Sequence, residues 1–193
     1  MVDTQVRPSD VTKFPIIDAL LNVPREKFVP DGKREAAYIG ENLSIGPSRV
    51  ILEPRTLAKL LDILDIKNNE LVLDIGSGLG YSSAVISRMA ELVIAVEQDT
   101  SFAAESEGIL SEAGADNVVV QVNKLEDGAP QHGPYDVIIL QGGVEEIPLS
   151  ILNQLKNGGR IGAIFIEEGL GTARIGYKLN SNITWRYSFN AAA

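Results

Sequence analysis

The sequence has 193 residues, 45% of them apolar and 22% charged, which is ordinary for one globular domain with a full hydrophobic core. Its net charge of −9, without clusters of Lys and Arg, argues against an extended nucleic-acid surface. One His and no Cys exclude a disulfide, a thiolate nucleophile and a metal centre built from His or Cys. No stretch approaches the roughly 18 apolar residues of a membrane span, and the first residues lack the apolar core of a signal peptide, so we expect a cytoplasmic protein.

Residues 1–50 are broken repeatedly by Pro and Gly, which prevents any long element there. The breaks fall at Pro8, Pro15, Pro24, Pro30, Gly32, Gly40, Gly46 and Pro47. This pattern predicts a small helical N-terminal cap over a core of residues 54–193, the two together forming a single domain. Leucines at helical spacing after Pro54 predict that the core begins with an amphipathic helix over 54–65.

Apolar, strand-like runs then alternate with helical segments along the core. The predicted strands cover 71–75, 92–97, 117–122, 135–140 and 160–166, and the predicted helices cover 80–90, 101–113 and 148–158. Such alternation folds through right-handed crossovers into a parallel sheet with helices on both faces. Two further runs, 172–179 and 183–189, predict a closing antiparallel hairpin. The predicted fold class is therefore α/β, with a Rossmann-like, mostly parallel sheet.

Three glycines on alternate positions follow the first strand of the predicted sheet. Gly76, Gly78 and Gly80 allow a sharp turn into the next helix and a close approach of bare backbone to a ligand. A dinucleotide fingerprint, G-x-G-x-x-G, would place its third glycine at position 81, which is Tyr81. The spacing therefore favours an adenosyl cofactor without a pyrophosphate, and the alternative is a turn with a purely structural role.

Two acids at strand ends indicate which adenosyl cofactor this is. Asp74, just before the glycines, would repel phosphates and attract a cationic amino-acid group. Glu97 ends the next strand, 17 residues after Gly80, at about the ~20-residue interval where an acid binds ribose hydroxyls. S-adenosylmethionine carries both a cationic amino-acid group and a ribose. We therefore predict it as the cofactor, with Ser77 and Gln98 as further contacts.

Other polar residues are weaker candidates for a functional role. Asp136 begins a strand and is expected to make local hydrogen bonds, whereas His132 lies in a loop and is expected to be solvated. Glu145 and Glu146 precede a helix, where carboxylates stabilise the helix dipole. The acids at 167–168 follow a strand end and are expected in a solvated loop, with the wall of an acceptor pocket as the alternative.

Residues along most of the sequence form a more specific pattern. Its most specific segment is Val-Pro-Arg-Glu-Lys-Phe-Val at 23–29, and its other positions are Ala37-Tyr38, Leu43, Ile45-Gly46, the glycine turn with Tyr81, Val96-Glu97, Asn117-Val118, Pro134-Tyr135-Asp136 and Ile147-Pro148. Along nearly the whole sequence, this pattern resembles the protein-L-isoaspartate O-methyltransferase family. The resemblance implies a protein-repair enzyme that uses S-adenosylmethionine to methylate the α-carboxylate of isoaspartyl sites, which can then return to aspartate through a succinimide.

The implied chemistry suits the composition of the chain. Methyl transfer to a carboxylate uses a nucleophile that is already ionised at pH 7, so it requires no general base. A protein with one His and no Cys can catalyse it by aligning the reacting groups and excluding water. The resemblance implies a protein or peptide substrate, and a small acidic molecule is the alternative acceptor.

The sequence departs from the family where the acceptor would bind. Family members carry Gly-Gln-Thr-Ile-Ser-x-Pro before the first long helix, with its hydroxyls facing cofactor and substrate. With the flanking Gly and Pro in register, the glutamine is replaced by Arg49, the threonine by Val50 and the serine by Leu52. Val and Leu cannot donate to a carboxylate, and losing such a hydrogen bond costs roughly 0.5–3 kcal/mol. We therefore hypothesise that Arg49, or Ser48 beside it, binds an acidic acceptor.

A second departure lies where the family's Gly-Asp-Gly segment places an acid near the adenine. This sequence has Asn123-Lys124-Leu125 instead, and Lys124 cannot accept a hydrogen bond from the adenine amino group. Glu126 or Asp127 could replace that acid after a small loop shift, or the backbone alone could bind the base. We predict that Leu125 contacts the cofactor. The two departures leave two alternatives to the family activity, a non-catalytic S-adenosylmethionine-binding module and a methyltransferase with another acidic acceptor.

Overall fold

The computed structural model describes residues 1–47 and 49–192. Its helices are α1 (Phe14–Asn22), α2 (Pro54–Leu64), α3 (Tyr81–Ser87), α4 (Thr100–Glu112) and α5 (Leu149–Asn153). Its strands are β1 (Leu43–Gly46), β2 (Arg49–Ile51), β3 (Leu71–Ile75), β4 (Leu92–Glu97), β5 (Val118–Val122), β6 (Tyr135–Val144), β7 (Leu155–Glu167), β8 (Leu170–Leu179) and β9 (Asn182–Asn190). Short 3-10 or π turns lie at Val2–Val6, Arg7–Ser9, Arg25–Phe28, Asp31–Ala36 and Pro130–His132. None of the described helices is long and apolar enough to cross a membrane.

Seven strands form one sheet in the order β5-β4-β3-β6-β7-β8-β9. The first five of these pair in parallel, and β8 and β9 extend the sheet in antiparallel fashion. The strand order reverses between β3 and β6, and sheets of this kind bind ligands at that point, beyond the carboxyl ends of the strands. The predicted α/β fold, with its C-terminal antiparallel hairpin, is thus confirmed.

Alternating side chains give the central strands two buried faces. In β3, Val72 packs into one core cluster, whereas Leu73 and Ile75 pack into a cluster on the opposite face. Apolar residues of α1, α2, α3 and α4 belong to the first cluster, and Ile151 of α5 belongs to the second. Helices therefore pack on both faces of the sheet, as predicted.

The N-terminal region differs from the predicted helical cap. Short helical pieces lie within residues 2–36, but residues 43–51 contain the antiparallel β1–β2 hairpin, whose register shifts between Ser44 and Gly46. The prediction of short helical pieces separated by breaks was right for residues 2–36, whereas the hairpin at 43–51 was not predicted. Gly46 and Pro47 are equally suited to the turn of a hairpin, and β1 and β2 are too short to show a clear alternating pattern.

Two predicted boundaries beyond β5 were also wrong. α5 ends at Asn153 rather than near Gly158, because the following residues join the sheet: the Tyr135 N–H donates to the Gln154 carbonyl (2.8 Å), and β7 begins at the next residue. β6 continues past residue 140 to Val144, with an irregular register against β7. This extension brings residues 141–144 to the candidate site.

Candidate functional site

A cavity of about 670 Å³ lies beyond the carboxyl ends of β3, β6 and β7. Its lining combines Pro47, Arg49 and Val50 of the hairpin with the end of β3, the extension of β6 and the loops after β4 and β5. The volume falls within the range of about 300–1,000 Å³ that is usual for ligand pockets. The cavity adjoins the point where the strand order reverses, which makes it the candidate site.

The glycine turn after β3 has a conformation that strongly favours glycine. Gly76, Gly78 and Gly80 have φ angles of 80°, 56° and 92°, all in the left-handed region. An added Cβ at Gly78 would lie 2.8 Å from Ile45 Cδ1, and one at Gly76 would lie 3.6 Å from Arg49 Nη1. The turn therefore presents bare backbone directly against the β1–β2 hairpin.

Asp74 is fully buried at the start of this turn. Its Oδ2 accepts hydrogen bonds from the Ser82 and Ser83 hydroxyls, both at 2.6 Å, and its Oδ1 accepts one from Gln141 Nε2 at 2.8 Å. Burial raises the pKa of Asp74, and these three hydrogen bonds oppose that rise. Gln141 lines the cavity, so Asp74 is hydrogen-bonded to a residue of the cavity wall. The sequence reasoning missed Ser82, Ser83 and Gln141.

Glu97 is fully buried at the end of β4 and holds three segments together. Its Oε1 accepts hydrogen bonds from the Gln98 N–H (2.8 Å), the Asp99 N–H (2.9 Å) and Arg49 Nη2 (2.6 Å). Its Oε2 accepts one from the Gly78 N–H at 2.9 Å. One carboxylate thus connects the glycine turn, the end of β4 and the stretch that replaces the family's acceptor motif.

Arg49, Val50 and Leu52, which replace the family's polar residues, have different surroundings. Arg49, whose side chain is 15% exposed, and Val50 both line the large cavity. Leu52 is buried and lines a separate cavity of only about 10 Å³ together with Ser77. The buried Ser77 hydroxyl has no hydrogen-bond partner within 1–47 and 49–192. Ser48 lies outside the described residues.

The loops after β4 and β5 contribute the opposite part of the lining. Gln98, Leu125 and Glu126 all line the large cavity. Lys124 forms an exposed ion pair with Glu126, with 3.9 Å between Nζ and Oε1, whereas Asp127 lines a different cavity. Of the two acids considered for the adenine, Glu126 is therefore the one at the candidate site.

The weaker sequence candidates lie mostly apart from the cavity. Asp136 makes hydrogen bonds away from the cavity, but they are not the local ones predicted: it accepts from the Leu71 N–H (2.9 Å), 65 residues away, and from Lys156 Nζ, 20 residues away. His132 is exposed in the short turn before β6, as predicted. Glu146 is also exposed, but it lies at the edge of the cavity.

The site residues fit an adenosyl cofactor. Bare backbone at Gly76 and Gly78 adjoins the Glu97 carboxylate, and Leu125 and Ile151 provide an apolar wall in the neighbouring cavity. A strand, glycine turn and helix at the reversal of strand order, followed by an acid at the next strand end, are typical of Rossmann-like adenosyl-cofactor enzymes. Without the spacing of a dinucleotide fingerprint, they define the class of S-adenosylmethionine-dependent methyltransferases.

Comparison with known proteins identifies the family. A family model described as protein-L-isoaspartate(D-aspartate) O-methyltransferase matches residues 3–170, and the chain belongs to this family. The protein-L-isoaspartate O-methyltransferase of Syntrophus aciditrophicus is 33% identical over 184 residues, which cover 93% of this chain and 84% of the relative. That of Gloeobacter violaceus is 36% identical over 161 residues, which cover 83% and 78%. The family resemblance of the sequence is thereby confirmed.

Solved structures agree with this assignment. One protein-L-isoaspartate O-methyltransferase matches with a TM-score of 0.84 and 25% identity, covering 97% of this chain but 63% of that longer chain. A Plasmodium falciparum structure described in the same terms, and solved with S-adenosyl-L-homocysteine, matches with a TM-score of 0.83 over 96% of this chain and 92% of that one. At 19% identity, the second likeness shows the shared fold. The chain is an S-adenosylmethionine-dependent methyltransferase, as predicted.

Proposed function

We propose that this protein methylates the α-carboxylate of isoaspartyl residues in damaged proteins or peptides. Family membership supports the reaction type. The observation that carries the choice of acceptor is Arg49, whose guanidinium lines the same cavity as Gln98 and Leu125. Once it is released from its ion pair with Glu97, this largely buried guanidinium favours an anionic ligand, and its geometry matches that of a carboxylate.

The proposed cofactor contacts surround the glycine turn. Glu97 binds the ribose hydroxyls, for which a carboxylate provides charge-assisted hydrogen bonds. The left-handed turn of Gly76, Gly78 and Gly80 presents backbone groups to the cofactor. The Ser77 hydroxyl supplies a donor that has no partner among the described residues.

Two further cofactor contacts lie on the large cavity. Gln98 and Leu125 contact the adenosine side, where Leu125 adds apolar surface. Asp74 positions the Gln141 amide, to which it is hydrogen-bonded at 2.8 Å, and thereby orients a polar group of the cavity wall. This positioning role would explain why the fully buried Asp74 accepts three hydrogen bonds behind the cavity wall.

The chemistry places few demands on acid or base groups. When bound, S-adenosylmethionine supplies an electrophilic methyl group. A carboxylic acid with an ordinary pKa of about 4 is ionised at pH 7, so the protein needs no base to activate the acceptor. Arg49 holds and orients the acceptor carboxylate, and the apolar Val50 beside it limits the access of water.

Labelled methyl transfer tests this function. Purified protein is incubated with methyl-labelled S-adenosylmethionine and either a peptide with one isoaspartyl residue or its twin with a normal aspartyl residue at the same position. We expect label in the isoaspartyl peptide and none in the twin, because the displaced backbone leaves its carboxylate in a different place. Transfer to neither peptide, in a protein that binds S-adenosyl-L-homocysteine by calorimetry, would show a different acceptor or a binding module.

A further inference from the structure

The carboxylate that we assign to the ribose already accepts four hydrogen bonds. Glu97 accepts hydrogen bonds from the N–H groups of Gly78, Gln98 and Asp99 and from Arg49 Nη2. A carboxylate offers about four lone-pair sites. Oε1 accepts three of these hydrogen bonds, more than its two lone pairs can fully satisfy, whereas Oε2 accepts one within a fully buried side chain. Ribose hydroxyls can therefore bind Oε1 only if one of its present donors leaves.

Arg49 is the donor that can leave. The other three donors are backbone groups of the glycine turn and of the residues after β4, whose positions are set by the sheet and its turns. Arg49 reaches Glu97 with a long side chain from β2, a strand of three residues that lies outside the main sheet. Releasing it requires rotation of a side chain and no change in the sheet.

The surrounding packing places the Arg49 guanidinium inside the proposed cofactor site. Arg49 Nη1 lies 3.6 Å from the position of a Cβ added at Gly76, beside the Gln141 carbonyl oxygen (3.3 Å) and Leu125 Cδ1 (3.8 Å). Its Nη2 lies 2.6 Å from Glu97 Oε1. The guanidinium thus contacts both groups that the cofactor is expected to use.

We propose that Arg49 has two successive partners during the reaction, and this inference rests on the proposed function. In the free protein Arg49 pairs with Glu97 and closes the ribose subsite. Cofactor binding takes Glu97 and releases the guanidinium, which then binds the acceptor carboxylate in the adjoining cavity. The cofactor therefore binds first, and its binding creates the acceptor site.

Competition at Glu97 is tested by calorimetry with S-adenosyl-L-homocysteine. The ion pair between Arg49 and Glu97 competes with the ligand, so the apparent affinity is reduced to the extent that this pair is formed. Arg49→Met removes the competitor and should bind this ligand about fivefold more tightly or better. Arg34→Met is the matched control, because its guanidinium pairs with Asp31 at the exposed surface (2.9 Å), and it should bind as wild type. In a Glu97→Gln background, the gain from Arg49→Met should disappear. Equal or weaker binding by a folded Arg49→Met variant would overturn the competition.

The second partner of Arg49 is tested on the wild-type protein, which avoids any folding defect of the variants. An isoaspartyl peptide should bind about tenfold more tightly when S-adenosyl-L-homocysteine is saturating than when it is absent. Equal peptide affinity in both conditions would overturn the release of Arg49 while leaving the isoaspartyl acceptor intact. If Arg49→Met tightens ligand binding but no isoaspartyl peptide binds wild type, the closure of the ribose subsite is supported, and both the acceptor role of Arg49 and the proposed function fail.

Discussion

Glu97 determines how the glycine turn and the end of β4 are joined. Its carboxylate accepts hydrogen bonds from backbone groups on both sides, including the Gly78 and Gln98 N–H groups. Under the proposed function it also binds the ribose. We expect Glu97→Ala to weaken binding of S-adenosyl-L-homocysteine at least about tenfold, or ~1.4 kcal/mol, as measured by calorimetry.

A neighbouring acid provides the control for this experiment. Glu91 precedes the other end of β4 and is exposed, so Glu91→Ala should leave the dissociation constant at the wild-type value. If Glu97→Ala also binds like wild type while remaining folded, the placement of the ribose is wrong.

Val50 replaces a family hydroxyl at the wall of the large cavity. Thr has nearly the shape of Val and adds a hydrogen-bond donor to the site. We expect Val50→Thr to raise kcat/KM for an isoaspartyl peptide by roughly three- to tenfold, in line with the value of one well-placed donor. Steady-state kinetics on the peptide provides the measurement, and an unchanged or lower kcat/KM would show that this position does not face the acceptor.

Leu52 replaces a second family hydroxyl but is only 2% exposed. Its side chain belongs to the hydrophobic core, so restoring the hydroxyl there removes packing without reaching the large cavity. We expect Leu52→Ser to lower the free energy of unfolding by about 2–5 kcal/mol, as measured by urea denaturation. A loss below about 1 kcal/mol would show that the side chain is less tightly packed than the structure indicates.

At the scale of whole elements, polar contacts tie the strands together at the end opposite the cavity. Arg160 of β7 makes two hydrogen bonds to the Glu70 carboxylate, both at 2.7 Å, just before β3. Asp136 of β6 accepts hydrogen bonds from Lys156 and from the Leu71 N–H. Burial acts to raise the pKa of Asp136, but these hydrogen bonds outweigh it and hold the pKa below its usual value.

The lowered pKa of Asp136 has a definite consequence for stability. The Asp136 carboxylate contributes stability to the folded state above its ordinary pKa of about 3.9. This contribution is lost as the pH falls through the folded-state pKa. Asp136→Asn should therefore be less stable than wild type by about 1 kcal/mol at pH 7, and the difference should disappear at acidic pH. Urea denaturation across this pH range measures it. A difference that is independent of pH would show that the Asp136 charge does not contribute.

The elements that were predictable from sequence are those with long, regular patterns. The apolar runs of β3, β4 and β5 and the helices between them follow their sequence periods, so the parallel sheet could be predicted. The β1–β2 hairpin could not, because its strands have four and three residues and a shifted register. The end of α5 depends on pairing of Leu155 with Tyr135, a contact between residues distant in sequence.

At the scale of the molecule, the candidate site was predictable where it depends on backbone position. Glu97 is the last residue of β4 and Gly78 lies in the turn after β3, so their place at the carboxyl edge follows from the topology. Two side-chain contacts at the site could not be predicted, because each joins residues that are far apart in sequence. Arg49 and Glu97 are 48 residues apart, and Asp74 and Gln141 are 67 residues apart. For Gln141 the available signal was a polar residue directly after the apolar run of residues 135–140.

Choice of cofactor is a property of the whole binding surface. Tyr81 in place of the third dinucleotide glycine, with Asp74 before the turn, disfavours a pyrophosphate. At about 100 times its Kd, S-adenosyl-L-homocysteine should stabilise the protein by about 2.7 kcal/mol, which raises Tm by roughly 5–10 °C. NAD at the same concentration should leave Tm unchanged. Thermal unfolding scans compare the two, and an equal shift with NAD would contradict the cofactor assignment.

The most direct test of the site is a crystal structure of the protein with S-adenosyl-L-homocysteine. We predict that the ribose hydroxyls bind the Glu97 carboxylate beside the glycine turn and that the Arg49 guanidinium has turned into the cavity lined by Val50. A ligand bound elsewhere, with the ion pair between Arg49 and Glu97 intact, would contradict both the cofactor site and the proposed role of Arg49.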